Sequence, residues 1–458
     1  MTSRNKPSRP LHSDRTSRRQ FLKAIGAVGV VSASPAAWAG PAAFSYRRPG
    51  EQLNVACIGV GGMGGSDLAS ISSASNVNIV ALCDVDANNL GAAAKKHATA
   101  KTFTDWRMLL DEMHKDIDAV SVSTPDHMHA PIALSAMSLG KHVYCQKPIA
   151  HSLHECRAMT KVAARQKVVT QMGTQIHSQG AYRTAVATLQ SGVIGKVTEA
   201  HLWVSKSWAG PAAGRPAHTD AIPDTLDWNL WLGVAPERPF VKDIYHAARW
   251  RGWKDFGCGT LGDMGCHIFD PVFTALGIGS PSKVVSRGPA HFEESFAADS
   301  DVNYEFPATR YTKGKLKMRW TDGNAGSRPD ASRAQLPEGV SLPGAGSFLV
   351  GEKGVMVIPH WSAPRFYSKG EVMDAKVTEM PNLNHYHEWA DACRGEGESS
   401  TPFSYSGPLT EAVLAGTIAG RFPDRELNWD AARLSFGDED ADALVTRDYR
   451  DGWNIPGV

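Results

Sequence analysis

The chain has 458 residues, enough for two or three domains of roughly 150 residues each, which excludes a peptide or a single small module. With 42% hydrophobic and 21% charged residues, its composition is that of a folded globular protein and not of a disordered or polytopic membrane protein. The 48 basic and 47 acidic residues give a net charge of +1, so no basic field is present to bind nucleic acid or an anionic membrane.

The first 39 residues are predicted to be a cleaved export signal. The motif Ser-Arg-Arg-Gln-Phe-Leu-Lys over residues 17–23 matches the twin-arginine signal, and the Gly/Ala/Val stretch after it is too short to anchor the chain in a membrane. Residues 37–39, Ala-Trp-Ala, are typical of a signal peptidase site, so cleavage is expected after about Ala39. The mature chain is then periplasmic or otherwise exported, without membrane insertion. This pathway carries proteins already folded, so any cofactor is expected to be tightly bound. A disordered basic tail is the alternative.

Residues 53–173, which follow a linker over 40–52, alternate between strand and helix patterns. Short apolar, β-branched runs are each followed by a helical stretch, which is typical of a parallel sheet covered by helices. The predicted strands are 53–58, 77–83, 117–122, 142–145 and 168–172, and the predicted helices are 66–72, 87–97, 106–114, 152–166 and one ending at Leu139.

The pattern changes after residue 173, which predicts a second, mostly antiparallel domain over 174–458. Strands with alternating polarity are separated by long loops rich in Pro, Gly and Trp, and loops of that length usually bind something or move. The predicted strands include 196–204, 301–306 and 315–320, and the two longest loops are 206–249 and 322–346.

The seven cysteines indicate no special chemistry. Their number is odd and no Cys-x-x-Cys occurs, so neither a disulfide framework nor a zinc ribbon is predicted. Cys57, Cys83 and Cys145 lie in predicted buried strands and are expected to be small core residues.

The turn after the first predicted strand carries a dinucleotide-binding fingerprint. The spacing Gly59-x-Gly61-x-x-Gly64 lets the backbone turn tightly and approach a pyrophosphate, which then lies at the amino end of the next helix. Asp84, twenty residues after Gly64, ends the second strand, where a carboxylate accepts hydrogen bonds from ribose hydroxyls. A carboxylate there repels a 2′-phosphate, so NAD is favoured over NADP.

Three further polar residues are candidates for chemistry. Lys147 follows a parallel strand, where it could orient a substrate hydroxyl and stabilise an alkoxide, or be an ordinary solvated lysine. Asp263 and His267 are four residues apart on a predicted helix, so the carboxylate could orient the imidazole as a base. We predict no metal site, although metal binding by this pair, with His246 or His387 as a further ligand, and a purely structural pair are alternatives.

Taken together, the motifs resemble one family. The glycine fingerprint, Thr-Pro-x-x-x-His over 124–129, Gln-Lys-Pro over 146–148 and Asp-x-x-x-His over 263–267 occur in the order and spacing of the glucose-fructose oxidoreductase, inositol dehydrogenase and rhizopine-catabolism (Gfo/Idh/MocA) family. The resemblance covers about residues 53–430. Within that family, the chain is most similar to the exported sugar oxidoreductases.

The resemblance implies an α/β protein with an N-terminal Rossmann domain and a C-terminal α/β domain whose large, mostly antiparallel open sheet supports a homo-oligomer, with the active site between them. It implies that Lys147, Asp263 and His267 form the catalytic set. Gln146 departs from the family's usual Glu, which contacts the cofactor ribose, and Asp126 stands where Asn is commoner. The implied cofactor-binding residues are Gly59, Gly61, Gly62, Met63, Gly64, Asp84, Ser123, Thr124, Pro125, His129, Gln146 and Lys147.

The predicted function is NAD-dependent oxidation of a secondary ring hydroxyl of a sugar or glycoside, with C3 as the first choice of carbon, as in a glycoside 3-dehydrogenase. His267 would take the hydroxyl proton, Lys147 would stabilise the oxygen and Asp263 would fix the imidazole. A redox-neutral NAD-dependent glycosidase and a non-catalytic sugar- or cofactor-binding protein are the alternatives. The loop residues expected to contact a sugar, unless they only pack, are Tyr245, His246, Arg249 and Trp253, together with Trp208, Trp228 and Trp231.

Overall fold

The computed structural model describes residues 51–323 and 329–455, so the predicted export signal lies outside the described residues. Within those two ranges, no helix is both long and apolar enough to cross a membrane. The helices are α1 (Met63–Ser72), α2 (Ala87–Lys96), α3 (Trp106–Met113), α4 (His129–Ser138), α5 (Leu153–Gln166), α6 (Gly180–Gln190), α7 (Trp228–Leu232), α8 (Gly259–Leu276), α9 (His385–Cys393), α10 (Phe403–Ala419) and α11 (Glu439–Asp442).

The first sheet is parallel and has the strand order β3-β2-β1-β4-β5-β6, which is the doubly wound order of a dinucleotide-binding domain. Its strands are β1 (Leu53–Ile58), β2 (Val77–Cys83), β3 (Lys101–Phe103), β4 (Ala119–Val122), β5 (His142–Cys145) and β6 (Thr170–Met172). Helices cover both faces, so the central strands are mostly buried and form mainly apolar runs in the sequence. The predicted Rossmann domain is confirmed.

The second sheet has eight strands in the order β14-β13-β12-β11-β7-β10-β9-β8, and only the pair β7 and β10 is parallel. The prediction of a large, mostly antiparallel sheet is confirmed. Its strands are β7 (Val197–Val204), β8 (Lys283–Ser286), β9 (Ser300–Phe306), β10 (Thr312–Asp322), β11 (Ala345–Gly351), β12 (Val355–Pro359), β13 (Arg365–Ser368) and β14 (Glu371–Val372).

Helix α8 lies between the two sheets and joins them. On one side its Phe269 packs against Tyr304 of β9 and Trp320 of β10, with ring centroids 5.6 and 5.8 Å apart. On another side its Asp263 reaches Lys147, which follows β5. The helix therefore carries side chains of the second domain to the carboxyl edge of the first sheet, where ligands of such sheets bind.

Helix α9 comes late in the chain but packs on the first sheet. Its Trp389 is fully buried in one apolar cluster with Val55, Ile71 and Tyr144, and the Trp389 and Tyr144 rings lie 5.6 Å apart. The core of the dinucleotide-binding domain is therefore completed by residues from far along the chain.

A capping box fixes the start of helix α5. The Ser152 hydroxyl accepts a hydrogen bond from the Glu155 amide at 3.2 Å, and the Glu155 carboxylate accepts one from the Ser152 amide at 2.9 Å. Ser152→Ala should lower the free energy of unfolding by about 1 kcal/mol, measured by chemical denaturation. Ser404→Ala, at an exposed position of helix α10, is the control and should change it by less than about 0.5 kcal/mol. Equal effects would contradict the capping role.

Candidate active site

The carboxyl edge of the first sheet gathers the predicted site residues from separate strands. The glycine turn follows β1, Asp84 follows β2, Thr124 follows β4 and Lys147 follows β5. Parallel strands all end at this edge, so residues far apart in sequence meet there. Helix α8 adds Asp263 and His267 from the second domain.

The glycine turn has the backbone shape that a pyrophosphate requires. Gly59 has a φ of 79°, and a Cβ added there would lie 2.7 Å from the Ser123 carbonyl oxygen, while one added at Gly64 would lie 2.1 Å from the Gly59 oxygen. A side chain at either position would break the turn. Gly62 has a φ of 51° and open space beyond its Cα, so backbone is exposed on the side where a phosphate approaches.

Asp84 supports this turn from the end of β2. One carboxylate oxygen accepts a hydrogen bond from the Val60 amide at 2.9 Å, and the other accepts one from the Asp86 amide at 2.9 Å. Each oxygen has a second lone pair, so both contacts leave capacity for ribose hydroxyls. The Asn89 amide occupies the space where a Cβ of Gly61 would be, at 2.3 Å. Asn89 was not identified from the sequence as a residue of this turn.

The Thr124 hydroxyl is a buried polar group without a partner among the residues that the structure describes. Such a group is costly unless a ligand satisfies it, so its position at the end of β4 fits an NAD contact. Thr124→Val should weaken NAD binding about five- to thirtyfold, a cost of about 1 to 2 kcal/mol, without loss of stability. Thr321→Val removes another buried, unpartnered hydroxyl, on β10 of the second sheet, and should leave the NAD affinity unchanged. Titration calorimetry measures both, and equal affinities in the two variants would refute the contact.

His129 was predicted to bind the cofactor, but the structure gives both of its ring nitrogens protein partners. Nδ1 lies 2.7 Å from the Pro148 carbonyl oxygen and Nε2 lies 2.8 Å from the Thr124 carbonyl oxygen. The buried ring therefore braces the turns after β4 and β5 and has no nitrogen free for a ligand. The hydroxyl of Ser123 and the amide of Gln146 likewise bond inward, to the carboxylate of Asp67.

Asp263 is the centre of the candidate catalytic group. Its Oδ1 accepts hydrogen bonds from Lys147 Nζ at 2.7 Å and Arg251 Nε at 3.1 Å, and its Oδ2 accepts from Lys206 Nζ at 2.9 Å and Trp208 Nε1 at 2.6 Å. Burial alone would raise the pKa of Asp263, but the three cations hold it well below its ordinary value. The carboxylate therefore stays ionised and fixes the position of Lys147, whose Nζ also donates to the Asp263 carbonyl oxygen at 2.8 Å.

Asp263 does not orient His267, contrary to the prediction. Both of its oxygens are used by the four donors just described, and Nδ1 of His267 is buried without a partner among the described residues. Side chains four residues apart share a helix face but need not touch. His267 is also not at the amino end of its helix, since α8 begins at Gly259 and the dipole acts mainly within the first turn.

The pKa of His267 is nevertheless lowered well below its ordinary value. Burial is the main cause, and the neighbouring Lys147 cation adds to it. The imidazole is therefore neutral near pH 7 and has a nitrogen able to take a proton. His360, whose ring centroid lies 5.9 Å from that of His267, also disfavours its protonation.

A metal site at this pair is not supported by the contacts of the ligands considered. The Asp263 carboxylate is saturated by cations and an indole N–H. His246 Nε2 lies 3.1 Å from an oxygen of Asp86, and His387 Nε2 lies 2.9 Å from the Ser73 hydroxyl. Within the described residues no group of three potential metal ligands occurs.

Tyr245 and Trp253 were predicted to contact substrate, but both point inward. They are 1% and 2% exposed and belong to an aromatic cluster with Trp228, Trp231 and Phe256. Burying large rings gains more free energy than exposing them in a loop, so the segment has a core of its own. Arg249 is exposed, and no described contact brings it to Asp263.

The loop residues that do reach Asp263 are Lys206, Trp208 and Arg251. Lys206 and Arg251 also lie over the Trp208 ring, at 4.7 and 5.2 Å from its centroid. Lys206 and Arg251 gave no signal in the sequence, since nothing there separates them from the other basic residues of the loop. Only the fold of residues 206–258 brings them to one carboxylate.

A second buried carboxylate lies close to this group. Asp126 Oδ2 accepts a hydrogen bond from the Cys258 amide at 3.1 Å, directly before helix α8. Burial raises the pKa of Asp126 to about 7, against the opposing effect of Arg251 and Lys147. This carboxyl can therefore exchange a proton near neutral pH, beside the charged residues that surround Asp263.

Comparisons with known proteins agree with this architecture. Residues 53–174 match the sequence model of an oxidoreductase family described as having an NAD-binding Rossmann fold, and residues 190–308 match the model of that family's C-terminal alpha/beta domain. The chain belongs to the Gfo/Idh/MocA family of oxidoreductases. Its first domain is therefore an NAD-binding domain, and the glycine turn, Asp84 and the unpartnered Thr124 hydroxyl fit that cofactor.

Two of the relatives are named as dehydrogenases of levoglucosan and of inositol. The chain is 26% identical over 179 residues to levoglucosan dehydrogenase of Pseudarthrobacter phenanthrenivorans, covering 39% of this chain and 37% of the relative. It is 32% identical over 183 residues to inositol 2-dehydrogenase of Gluconacetobacter diazotrophicus, covering 39% and 54%. The chain thus spans about a third to a half of these relatives. A solved levoglucosan dehydrogenase in complex with NADH and levoglucosan shares the fold, with a TM-score of 0.56 and 16% identity over 82% of this chain and 99% of that one.

Proposed function

We propose that this protein oxidises a secondary ring hydroxyl of a sugar or glycoside, with C3 as the favoured carbon. The observation that carries the proposal is the fixed ammonium of Lys147, held by Asp263 at the carboxyl edge of the NAD-binding sheet beside a neutral His267. The sugar and polyol dehydrogenases among its relatives support the substrate class.

Lys147, His267 and Asp263 have different roles in the oxidation of the substrate hydroxyl. Lys147 donates a hydrogen bond to the oxygen and stabilises the negative charge that develops there. His267 receives the hydroxyl proton on a ring nitrogen, and its lowered pKa keeps it able to do so near neutral pH. NAD, when bound, supplies the acceptor for the hydride that leaves the same carbon. Asp263 keeps Lys147 in place.

Trp208 gives the site a surface suited to a sugar ring. Its indole N–H is held at 2.6 Å by Asp263 Oδ2, which fixes the position of the ring. An indole fixed in this way offers an aromatic surface to the C–H groups of a pyranose, while Arg251 and Lys206 are donors for its hydroxyls. Recognition by stacking and charged donors favours a polyhydroxylated ring over an apolar alcohol.

Contacts between the domains support tight retention of the cofactor. The residues just after β2 are held by the loop of the second domain, with the Ala87 amide donating to the Thr225 carbonyl at 2.7 Å and the Asp227 amide to the Val85 carbonyl at 2.9 Å. These contacts lie next to Asp84, the expected ribose ligand. The predicted twin-arginine signal is the basis for proposing a periplasmic or exported enzyme, which would be loaded with NAD before export. The homo-oligomer stays a prediction.

A redox-neutral glycosidase is the second candidate, and the His177–Asp270 pair favours it. Oxidation at C3 acidifies the C2–H bond; loss of that proton and of the C1 substituent, addition of water and return of the hydride would then complete hydrolysis. The leaving group needs an acid, and His177 Nδ1 lies 2.8 Å from Asp270 Oδ1, after β6 and at the same edge as Lys147. Burial alone would lower the pKa of His177, but the Asp270 carboxylate raises it above its ordinary value.

The deciding experiment follows the near-ultraviolet spectrum and the products of the purified mature protein with a panel of sugars and glycosides. A rise of the reduced-nicotinamide band with formation of a keto-sugar identifies a dehydrogenase. Release of the aglycone over many turnovers without net reduction identifies the glycosidase. Bound NAD with no turnover of any substrate in the panel favours a sugar- or cofactor-binding protein, and failure to bind NAD would refute the proposal.

A further inference from the structure

A buried carboxylate outside the catalytic group lies under the cofactor cleft. Asp67, on helix α1, has no solvent exposure. It accepts hydrogen bonds from the Ser123 hydroxyl at 2.7 Å, from Gln146 Nε2 at 2.9 Å and from the Tyr386 hydroxyl at 2.8 Å. Within the described residues it has no ion pair with a lysine, arginine or histidine, so no cation of this part of the chain directly neutralises its charge.

The orientation of the hydrogen-bond partners of Asp67 favours an ionised carboxylate. The Tyr386 oxygen accepts a hydrogen bond from Gln175 Nε2 at 3.1 Å, which leaves its own hydrogen for Asp67. Gln146 Oε1 accepts from the Lys147 amide at 3.3 Å, which turns the amide hydrogens of Gln146 toward Asp67. Burial raises the pKa of Asp67, and these donors oppose that rise.

The position of Asp67 relates it to one half of the cofactor. Asp84, the expected ligand of the adenosine ribose, ends β2 on one side of β1. Ser123 and Gln146, which hold Asp67, follow β4 and β5 on the other side, and Lys147 comes next in the chain. A dinucleotide that crosses the end of β1 therefore has its nicotinamide half on the side of Asp67.

We infer that Asp67 is a positioning residue that places a fixed negative charge beside the nicotinamide half of the NAD site and so favours the oxidised cofactor. The inference rests on the NAD-dependent function proposed above. The oxidised nicotinamide ring carries a positive charge that the reduced ring lacks, so a buried anion stabilises the first form and not the second. Gln146 transmits the same contact toward the cleft, since its amide bridges Asp67 and the Lys147 backbone.

The test equilibrates the holoprotein with defined mixtures of NAD+ and NADH and measures the bound ratio from the spectrum after desalting. In Asp67→Asn the bound ratio should shift about tenfold toward NADH, equal to about 30 mV for a two-electron couple. Tyr386→Phe removes one hydrogen bond but keeps the charge, and should shift the ratio less than about threefold. This ratio does not depend on turnover, and a purely structural role would weaken both forms alike.

The double variant Asp67→Asn/Gln146→Glu moves the carboxylate to the other member of the pair. It should return the bound ratio to within about threefold of the wild type, and it carries the test if Asp67→Asn alone folds poorly. An unchanged ratio in Asp67→Asn, or a double variant that stays shifted, would overturn the inference. If the wild type binds neither form, the proposed function fails instead, which is a distinct result.

Discussion

Replacing Lys147 by methionine is expected to lower kcat about 10²- to 10³-fold while NAD binding is retained. The variant keeps the length of the side chain but removes the donor that stabilises the substrate oxygen. In the wild type, Lys147 Nζ makes two contacts within 2.8 Å to one residue, Asp263, so no neighbouring lysine can take over its position. Steady-state kinetics on the substrate found by the panel, with cofactor content measured on the same samples, checks the effect.

Lys206→Met is the matched control, because Lys206 binds the other oxygen of the same carboxylate at 2.9 Å but its side chain is 40% exposed. Its loss should lower kcat less than about tenfold, since Lys147 and Arg251 still compensate Asp263. Equal losses of kcat in both variants would mean that kcat depends on the total positive charge of the site and not on the position of the Lys147 ammonium.

His267→Asn is expected to lower kcat/KM about 10²- to 10⁴-fold and to remove its dependence on pH at the acid side. In the wild type the base acts in its neutral form, so kcat/KM falls only as the pH drops through the lowered pKa of His267, well below its ordinary value near 6.5. The enzyme should therefore keep its activity at pH values where an ordinary histidine is protonated.

The same pH profile tests the coupling between the two residues. The Lys147 cation is one cause of the lowered pKa of His267, so the acid limb of Lys147→Met should move to higher pH. His360→Gln should move it in the same direction, because His360 also disfavours protonation of His267, although without loss of the alkoxide donor. A limb that stays in place in both variants would assign the titration to another group, with Asp126 the first candidate.

The architecture of the first domain could be predicted almost completely. Strands β1, β2 and β5 have the predicted bounds, because buried parallel strands leave mainly apolar runs in the sequence. The edge strand β3 was missed, since it has three residues, two of them exposed, and no apolar pattern. The strands after residue 344 were likewise not assigned.

For the candidate site, the sequence indicated Lys147, Asp263 and His267 but not the contacts between them. The spacing of Asp263 and His267 indicated a pair, yet the carboxylate binds Lys147, Lys206 and Arg251 instead. Helical spacing determines which residues share one face of a helix, but not which distant chain segment packs on that face. Asp67 was missed for the same reason. The role of a single acid on a short helix becomes evident only from the three donors that hydrogen-bond to it.

The late position of helix α9 has a consequence for biosynthesis. Trp389 covers the face formed by Val55, Ile71 and Tyr144, but it leaves the ribosome more than two hundred residues after Tyr144. Until then this apolar surface is open, and a nascent chain or a truncation after residue 174 exposes it to aggregation. Tyr386, on the same helix, also completes the hydrogen bonds of Asp67. The hydrogen bonds of Asp67 are therefore complete only after helix α9 has been synthesised, so under the proposed function NAD is expected to bind stably only after that point.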